Sequence, residues 1–352
     1  MRKKIKIHMP LDNCQGDEVV KIVKPGVEAS ELCEFEILPH GIKEIDGVPH
    51  LTHPTLTGNP QDVDVMLLHG VMGQDRARLW RKQYPDLPCF VLDYKDGNKL
   101  HITVPGVRCY FKRSMAYRHL DNNRGICDYR PHVVHHSPYC VREDILRAVD
   151  DEIKSNNNTR DIVVSCFFDP YDESRYAKAP TSYYDLNRFH SYRTGIETAI
   201  GHSDTRRLCP TILKLAKEWY GCEYKMHIGK THSSCVEGRR TPQQEYVNKM
   251  SRSQIIVSAQ PDGWEGDYRL MESLSSGALV LHNRMQLPPR GLVDGTHWVL
   301  YDNHMDMLDK VYHYACHPDK AAKIGTAGKK FVEKNHMPVN RVEEWLRGAY
   351  IL

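Results

Sequence analysis

The densest set of chemistry-bearing residues lies between residues 258 and 277, where a predicted strand leads into a short predicted helix. Asp267 is placed to cap the amino terminus of this helix, and Gly277 is placed to end it. The first N–H groups of a helix have no partner within the helix and attract anions. The sequence therefore predicts that the backbone amides of Gly266–Tyr268 receive a pyrophosphate.

Glu272 lies in the second turn of the same predicted helix. Tyr268 precedes it by one turn on the same side, whereas Leu270 and Leu274 mark the side that packs on the protein. We therefore expect Glu272 to face the ligand, where a carboxylate can accept two hydrogen bonds from paired sugar hydroxyls. The alternative is a surface ion pair between Glu272 and Arg269.

Two successive alternations of strands and helices are expected to position these groups. In the first half of the chain, short apolar runs at Ile5–Met9, Val65–Leu68, Pro88–Leu92 and Ile102–Tyr110 predict strands, and the polar stretch Gln74–Gln83 predicts a helix. The second alternation begins after a helical pattern and the polar run of residues 155–159, where we expect the domain boundary.

The elements predicted for the second half are helix Asp144–Lys154, strand Ile162–Phe168, helix Thr211–Trp219, strand Glu223–Ile228, helix Pro242–Met250, strand Ile255–Ser258, helix Asp267–Ser276, strands Ala278–Leu281 and Trp298–Tyr301, helix Met305–Tyr314, and terminal helices Pro318–Asn335 and Val339–Tyr350. Strands and helices in turn indicate an α/β fold of two Rossmann-like domains facing a cleft. We expect residues 1–157 to form the first domain and residues 158–335 the second. Residues 336–352 are expected to form a helix that crosses back to the first domain.

Composition narrows the classes of function. The chain has 48 Lys and Arg against 45 Asp and Glu, so its net charge of +3 gives no reason to expect a nucleic-acid partner. No apolar run approaches the roughly 18 residues that a membrane-spanning helix needs, so no transmembrane segment is predicted. The 11 scattered cysteines favour free thiols in a reducing compartment, and therefore a cytoplasmic protein.

Residues Glu272-Ser-Leu-Ser-Ser-Gly277-Ala-Leu-Val-Leu281 resemble the Glu-x4-Gly-x-strand signature of the GT-B glycosyltransferases that use nucleotide sugars. The similarity extends over roughly residues 250–346 and is that of the C-terminal domain of the spore-maturation (CgeB-like) glycosyltransferases. It is carried by Leu292–Asp302, Met307–Tyr314, His317-Pro318, Gly328–His336 and Arg341, with a weaker echo at Tyr110–Arg113.

The resemblance implies a GT-B fold with a nucleotide-sugar donor in the second domain, an acceptor on the first, and no required metal or other cofactor. By motif position, Glu272 would hold the nucleotide ribose, and the amides of Gly266–Tyr268 would hold the pyrophosphate. Retaining members carry two glutamates with seven residues between them, but Trp264 occupies the position of the first glutamate here. The stereochemistry of transfer is therefore left open.

Glycosyl transfer places negative charge on the departing diphosphate, which cationic groups stabilise. The candidates are Arg193, Arg206, Lys225 and Lys230, of which Lys230 follows the end of a predicted strand at Gly229. For each of them, the alternative is a solvated surface charge.

An inverting reaction also needs a base near the acceptor. His69 follows the strand predicted at Val65–Leu68, and Asp93 follows Phe90–Leu92, so we expect both at the carboxyl edge of the first sheet. The alternative for His69 is a hydrogen-bonded core histidine.

Two further groups of residues have the chemistry of metal ligands. Five of them occur within 14 residues, namely Cys127, His132, His135, His136 and Cys140, but they lack a Cys-x2-Cys pair, and residues 132–136 look like an ordinary strand. Asp62 and Asp64 have the spacing of an Asp-x-Asp metal motif, but they precede an apolar run instead of following it. We therefore predict no metal site.

The sequence thus predicts an enzyme that moves a sugar from a nucleotide-sugar donor to a glycan, glycoconjugate or other hydroxyl acceptor in glycan biosynthesis. Two alternatives stay open. A non-catalytic carbohydrate- or nucleotide-binding module of the same fold would keep Glu272 but lack a base. A nucleic-acid-base glucosyltransferase would share the fold, although the near-neutral charge opposes it.

Overall fold

The structure is a computed structural model, and it describes residues 4–11, 22–39, 41–45, 48–52, 63–70, 74–94, 100, 102, 104–113, 134–168, 209–210, 212–214, 216–217, 225–228, 243–260, 268–285 and 287–348. Its strands are β1 (Ile5–Leu11), β2 (Cys33–Pro39), β3 (Gly41–Ile45), β4 (Val48–Thr52), β5 (Val65–His69), β6 (Cys89–Asp93), β7 (Val107–Lys112), β8 (Val134–His136), β9 (Ile162–Cys166), β10 (Met226–Ile228), β11 (Ser253–Ser258), β12 (Leu279–Asn283) and β13 (Val299–Tyr301). Its helices are α1 (Lys24–Ala29), α2 (Gln74–Gln83), α3 (Glu143–Ser155), α4 (Gln244–Ser251), α5 (Tyr268–Ser275), α6 (His304–Cys316), α7 (Pro318–Asn335) and α8 (Pro338–Gly348).

The chain divides into two compact units. Unit 1 comprises Met1–Cys140 together with His336–Leu352, and unit 2 comprises Val141–Asn335. Each unit carries its own parallel sheet covered by helices, so the expected α/β fold with two domains is confirmed.

The sheet of unit 1 has six parallel strands in the order β2-β1-β5-β6-β7-β8. Strands β5 and β6 are buried along their whole length, which explains why they read as continuous apolar runs and not as alternating ones. Because β1 pairs with β2 on one side and β5 on the other, the strand order reverses there. In open α/β sheets, ligands bind beyond the carboxyl ends of the strands at such a point.

The sheet of unit 2 has five parallel strands in the order β10-β9-β11-β12-β13. Its strand order reverses between β9 and β11, since β9 pairs with β10 on its other side. One core cluster includes Val164, Ile255 and Leu281 from three adjacent strands, with Met307 of α6 packed against them. Helix α5 follows the carboxyl end of β11, so it starts at the edge of the sheet where a ligand is expected.

The boundary between the units differs from the predicted one. The sequence assigned residues 1–157 to the first domain, but helix α3 belongs to unit 2. The reason is packing, because Ile145 and Val149 of α3 lie in one buried cluster with Tyr246 and Met250 of α4. The polar run after residue 154 therefore ends a helix inside unit 2.

The last helix, α8, belongs to unit 1 and packs against α1. The contact is so close that a Cβ atom built on Gly26 would lie 2.5 Å from the backbone oxygen of Pro338. Trp345 is 1% exposed, and its indole Nε1–H donates a hydrogen bond of 2.8 Å to the Ser137 hydroxyl.

Several predicted elements have shifted ends in the structure, and some observed strands had not been predicted. The apolar run at Ile102–Tyr110 forms a strand only from Val107, since a turn with positive φ at Gly106 precedes it. The helix predicted at Thr211–Trp219 is described only at residues 212–214 and 216–217, which are helical. Strand β2 and the antiparallel pair β3–β4 had not been predicted.

In the described part of the chain, no helix is long and apolar enough to cross a membrane.

Candidate functional site

Helix α5 is enclosed by its own unit. All residues from Leu270 to Ser275 are buried, and α3, α7 and the strands β11 and β12 pack around the helix. Glu272 is 2% exposed, so its carboxylate is enclosed by these elements, and its expected role towards a ligand stays a prediction. The buried hydroxyl of Ser275 has a partner within the helix, because its Oγ donates a hydrogen bond of 2.8 Å to the Glu272 carbonyl.

The Glu272 carboxylate has partners on two other elements. Its Oε2 accepts a hydrogen bond of 2.9 Å from the Tyr246 hydroxyl of α4. Its Oε1 lies 3.6 Å from Nη1 of Arg142, which immediately precedes α3. A buried carboxylate of this kind is stabilised by both a charge partner and a hydrogen-bond donor. The predicted alternative placed an ion pair between Glu272 and Arg269 at the surface, whereas Glu272 is buried.

Arg142 is itself held in place by Asp144. Its Nε and Nη2 atoms donate hydrogen bonds of 3.1 Å and 2.8 Å to the two carboxylate oxygens of Asp144, a bidentate pairing. Burial works to lower the pKa of Arg142, but the hydrogen bonds to Asp144 and the charge of Glu272 raise it overall. We call Asp144, Arg142, Glu272 and Tyr246 the Glu272 network.

Tyr246 stays protonated within this network. Burial, followed by the negative charge of Glu272, raises the pKa of Tyr246 well above its ordinary value. Its hydroxyl therefore stays a hydrogen-bond donor to Glu272 at neutral pH. Sequence reasoning found Glu272 from its motif but found neither Tyr246 nor Arg142.

Side-chain hydrogen bonds connect the carboxyl ends of β11 and β12 beside α5. The backbone N–H of Gln260 donates to Asn283 Oδ1 at 2.8 Å, and the Gln260 side-chain nitrogen lies 3.2 Å from His282 Nε2. On the far side, the Tyr301 hydroxyl donates to the Ser258 carbonyl at 3.0 Å. These bonds fix the place from which the chain leaves β11 towards α5.

Four of the predicted donor-binding residues lie outside the described residues: Gly266, Asp267, Lys230 and Arg193. Arg206 also lies outside them. Tyr268 is described as the first residue of α5, with the Arg269 guanidinium 4.9 Å from the centre of its ring. Binding of a pyrophosphate at the start of α5 therefore stays a prediction.

Lys225, a further candidate for contacting the phosphates, is engaged elsewhere. Its ammonium group forms an ion pair with Asp161, which also receives hydrogen bonds of 2.7 Å and 2.5 Å from Arg252. The side chains of Lys225 and Asp161 are 51% and 35% exposed. The half-exposed Lys225 is thus closer to the alternative expectation of a solvated surface charge, with Asp161 as its partner.

His69 and Asp93 end neighbouring strands at the carboxyl edge of the unit 1 sheet, as expected, but both are enclosed. His69 is 4% exposed, and Asp93 is 0% exposed. The Lys112 ammonium lies 3.2 Å from Asp93 Oδ1, and the Tyr110 hydroxyl donates a hydrogen bond to Oδ2. The role of His69 and Asp93 as a base stays a prediction, while the structure adds that Asp93 neutralises a lysine that is itself fully buried.

Gly70, which follows β5, lies directly against Asp93 at the end of β6. A Cβ atom on Gly70 would lie 2.8 Å from Asp93 Oδ1, so only glycine leaves room for the carboxylate at this edge. Arg113, which follows β7, is 3% exposed and stacks over the Tyr139 ring at 4.5 Å. The signal that could have found Lys112 and Arg113 is the stretch Tyr110–Arg113, which the sequence had marked only as a weak echo of a family motif.

The metal-ligand candidates do not assemble among the described residues. Within that part of the chain, no group of three His, Cys, Asp or Glu side chains could hold a metal ion. Cys127, His132 and Asp62 lie outside it, and His135 stacks on Phe111 with ring centres 5.4 Å apart. Asp64 accepts a hydrogen bond of 2.8 Å from the backbone N–H of Lys6, next to the start of β5.

Residues 206–347 match the model of a family described as glycosyl transferase-like. This match covers about two fifths of the chain and includes α4, α5 and the elements up to α8. It confirms the resemblance to glycosyltransferases and the expectation of an enzyme of the glycosyltransferase type. The narrower likeness to the spore-maturation members stays a prediction.

The fold resembles that of solved structures, and a match with a TM-score above 0.5 supports it. The N-terminal domain of Candida albicans trehalose-6-phosphate phosphatase aligns with a TM-score of 0.54 and 8% identity, covering 99% of both chains. Anabaena Alr3699/HepE, solved in complex with UDP, aligns with a TM-score of 0.49 and 10% identity over 99% of this chain and 100% of that one. Sucrose-phosphate synthase from Thermosynechococcus elongatus gives 0.49 and 11% over the same shares. A search of curated proteins found no match.

Proposed function

We propose that this protein transfers a sugar from a nucleotide-sugar donor to a hydroxyl group of a glycan or glycoconjugate, without a metal ion. The observation that carries the proposal is the glycosyl transferase-like match over residues 206–347, which contains the Glu272 network's buried carboxylate on α5. Helix α5 begins beyond the carboxyl end of β11, beside the reversal of strand order, where α/β sheets bind nucleotides.

In this proposal, unit 2 binds the donor. Glu272 accepts hydrogen bonds from the hydroxyls of the nucleotide ribose, and the amides of Gly266, Asp267 and Tyr268 receive the pyrophosphate. The helix amino terminus favours negative charge there, and so stabilises the diphosphate as the bond to the sugar breaks. Lys230 and Arg193 are proposed as further phosphate ligands.

Unit 1 binds the acceptor in this proposal. If the anomeric configuration is inverted, a base must accept the proton of the acceptor hydroxyl as that oxygen attacks the sugar. His69 is the proposed base, because a neutral imidazole can take a proton near pH 7. Asp93 is the second candidate, and its ion pair with Lys112 gives it a structural role as well. Buried cysteines that form no disulfide bond, such as Cys89 and Cys166, support a reducing compartment, and therefore the cytoplasm.

Ligand-induced thermal stabilisation tests the donor site. A ligand that binds only the native state raises its stability, so UDP-, GDP- and dTDP-sugars are compared for their effect on the melting temperature. We expect Glu272→Gln to weaken the binding of the most strongly stabilising donor by about 1–3 kcal/mol, because a charged hydrogen-bond acceptor is lost while the shape of the side chain is kept. The matched control is Glu245→Gln, an exposed residue on α4. Unchanged donor affinity in a folded Glu272→Gln variant would remove Glu272 from the donor site.

Turnover measurements separate the enzyme from its alternatives. Hydrolysis of the donor in the absence of acceptor is expected of a transferase and not of a non-catalytic binding module. Activity is expected to persist in EDTA, because a helix amino terminus and cationic side chains can replace a metal at the diphosphate. Complete loss in EDTA, restored by Mg²⁺ or Mn²⁺, would overturn the metal-free mechanism. DNA affinity that falls steeply with salt would favour the nucleic-acid alternative.

A further inference from the structure

We propose that His313 and His317, at the carboxyl-terminal end of α6, form a surface site for a transition-metal dication such as Zn²⁺, Ni²⁺ or Cu²⁺. The two imidazoles supply two nitrogen ligands, and water completes the coordination. The site is separate from the proposed sugar transfer, because no nucleotide enters the argument. The last turn of α6 also lies about 18 Å along the helix from its first residue, His304, which follows the carboxyl end of β13.

The two histidines are spaced to share one face of the helix. Helix α6 spans His304–Cys316, and His317 is its C-cap, so the two histidines are four residues apart at its end. Both side chains are exposed and can be reached by an ion from solvent. Paired histidines at this spacing on a helix bind zinc from one face, and neutral imidazole suits zinc, copper and nickel.

The ring of His317 is oriented by a hydrogen bond to the backbone. Its Nδ1 lies 2.7 Å from the carbonyl oxygen of His313. Because a carbonyl oxygen can only accept, Nδ1 is the protonated nitrogen, and the lone pair of the ring is on Nε2. Histidines that bind metals commonly donate their other ring N–H to a backbone carbonyl in this way, which fixes both the tautomer and the ring orientation.

The two rings are at a separation that one ion can bridge. Their centres are 4.5 Å apart, and their planes differ by 26°. Two imidazoles that bind one ion at about 2.0–2.1 Å, with an angle between square and tetrahedral, bring their ring centres to about 4.5–5 Å. In the described structure, no hydrogen bond occupies the ring nitrogens of His313, so a rotation of this exposed side chain can bring a nitrogen to the ion.

The surrounding charges set a moderate affinity. The carboxyl-terminal end of a helix carries partial negative charge and attracts a cation. Lys320 of α7 opposes this attraction, since its backbone N–H donates to the His317 carbonyl at 3.1 Å and its charge is therefore close by. No described group of three metal-ligating side chains assembles here, so the protein supplies two ligands. With about half the donors of a structural zinc site, we expect a dissociation constant of about 1–100 µM for Zn²⁺.

The test titrates chelator-treated, dialysed protein with ZnCl2, NiCl2, CuCl2 or MgCl2 by calorimetry. We expect Cu²⁺ to bind most tightly, and Mg²⁺ not to bind at this site, because it prefers oxygen ligands. The chain has 20 histidines, so the site is measured as the difference between wild type and variants. His313→Gln and His317→Asn should each weaken Zn²⁺ binding at one site by about 10- to 100-fold, because a ligand matters at least as much as its hydrogen-bonded support.

Neighbouring residues provide matched controls. Cys316→Ser, between the two histidines, is expected to leave the affinity for Zn²⁺ unchanged, because the site uses two nitrogens. Lys320→Gln removes a repelling charge and should strengthen binding about two- to fourfold. Hydrogen exchange locates the effect in the chain. Zn²⁺ should slow the exchange of amides in the last turn of α6 in wild type but not in His317→Asn, in which an amide N–H can still donate to the His313 carbonyl.

Three results would overturn the proposal. The first is a wild-type protein whose Zn²⁺ stoichiometry and affinity are matched by both histidine variants. The second is Mg²⁺ binding that His313→Gln and His317→Asn abolish, which would indicate a site of oxygen ligands. The third is loss of Zn²⁺ binding in Cys316→Ser, which would exclude a site of two nitrogens. Each variant is checked for folding by its melting temperature in EDTA, and donor binding should be equal in all of them, so failure of this site leaves the proposed function intact.

Discussion

Removal of the Lys112 charge is expected to destabilise unit 1 strongly. Lys112 and Asp93 are both 0% exposed, and their charged atoms are 3.2 Å apart. Lys112→Met retains most of the buried side-chain volume but leaves the Asp93 carboxylate without this counter-charge. The hydrogen bond from the Tyr110 hydroxyl to Asp93 is unaffected by the change.

The magnitude follows from the distance and the burial. At 3.2 Å and an effective dielectric constant of about 20, the attraction between two unit charges is about 5 kcal/mol. Removal of one partner from a buried ion pair destabilises proteins by about 3–5 kcal/mol, because the remaining charge stays desolvated. For a unit of this size, where 1 kcal/mol corresponds to about 2–4 °C, the melting temperature should fall by about 6–20 °C.

The free energy of unfolding is measured by denaturant titration with tryptophan fluorescence as the signal. Trp80 and Trp345 report on unit 1. The decisive comparison is the double variant Lys112→Met/Asp93→Asn, in which both members of this ion pair are neutral. It should be more stable than Lys112→Met, because an amide can still accept the hydrogen bond from Tyr110. A Lys112→Met protein within 1 kcal/mol of wild type by this assay, a threshold set by the usual scatter of surface substitutions, would refute the reasoning.

Two further outcomes are expected from packing and from pH. Gly26→Ala should lower the free energy of unfolding by about 1–3 kcal/mol, since its Cβ would lie 2.5 Å from a backbone oxygen of α8; an unchanged midpoint in urea would show that α8 can move away without loss. Hydrogen bonds from Arg252, and then from Lys225, hold the pKa of Asp161 well below its usual range. A carboxyl group with a depressed folded-state pKa contributes stability above its ordinary pKa of about 4 and loses it as the pH falls below that value. Asp161→Asn should therefore destabilise the protein more at pH 7 than at pH 3, because part of the contribution is lost between the ordinary pKa and the depressed one; parallel stability curves for the two proteins would contradict this.

The elements of the two sheets were largely predictable because their patterns are local. The fully buried strands β5 and β6 are continuous apolar runs, and α7 was predicted with its observed ends. Two missed features also carried a local signal. Cys33–Ile37 alternates apolar and acidic residues as a strand does, and the dipeptide Asp46-Gly47 between β3 and β4 is typical of a hairpin turn.

The candidate site was predictable only in part, because its partners are distant in sequence. The motif that starts at Glu272 could be recognised within ten residues, whereas Arg142 reaches it from a helix start 130 positions earlier. Nothing in the spacing of residues near α3 indicates that contact, which exists because α3 packs in unit 2 and not in unit 1. The burial of α5 was likewise missed because periodicity describes one helix and not the elements that cover it.

The composition of unit 1 from both ends of the chain has a consequence for biosynthesis. A ribosome completes residues 1–140 and then all of unit 2 before it adds the segment from His336 onwards. Until then Tyr94 and Phe111, which contact Trp345 in the finished protein, lack their cover, as does the face of α1 beside Gly26. Unit 2 is continuous in sequence and can fold as it emerges, whereas unit 1 must wait for α8 to be synthesised. A chain truncated before α8 would therefore have a complete unit 2 and an uncovered apolar surface on unit 1, which is the kind of product that chaperones and proteases remove.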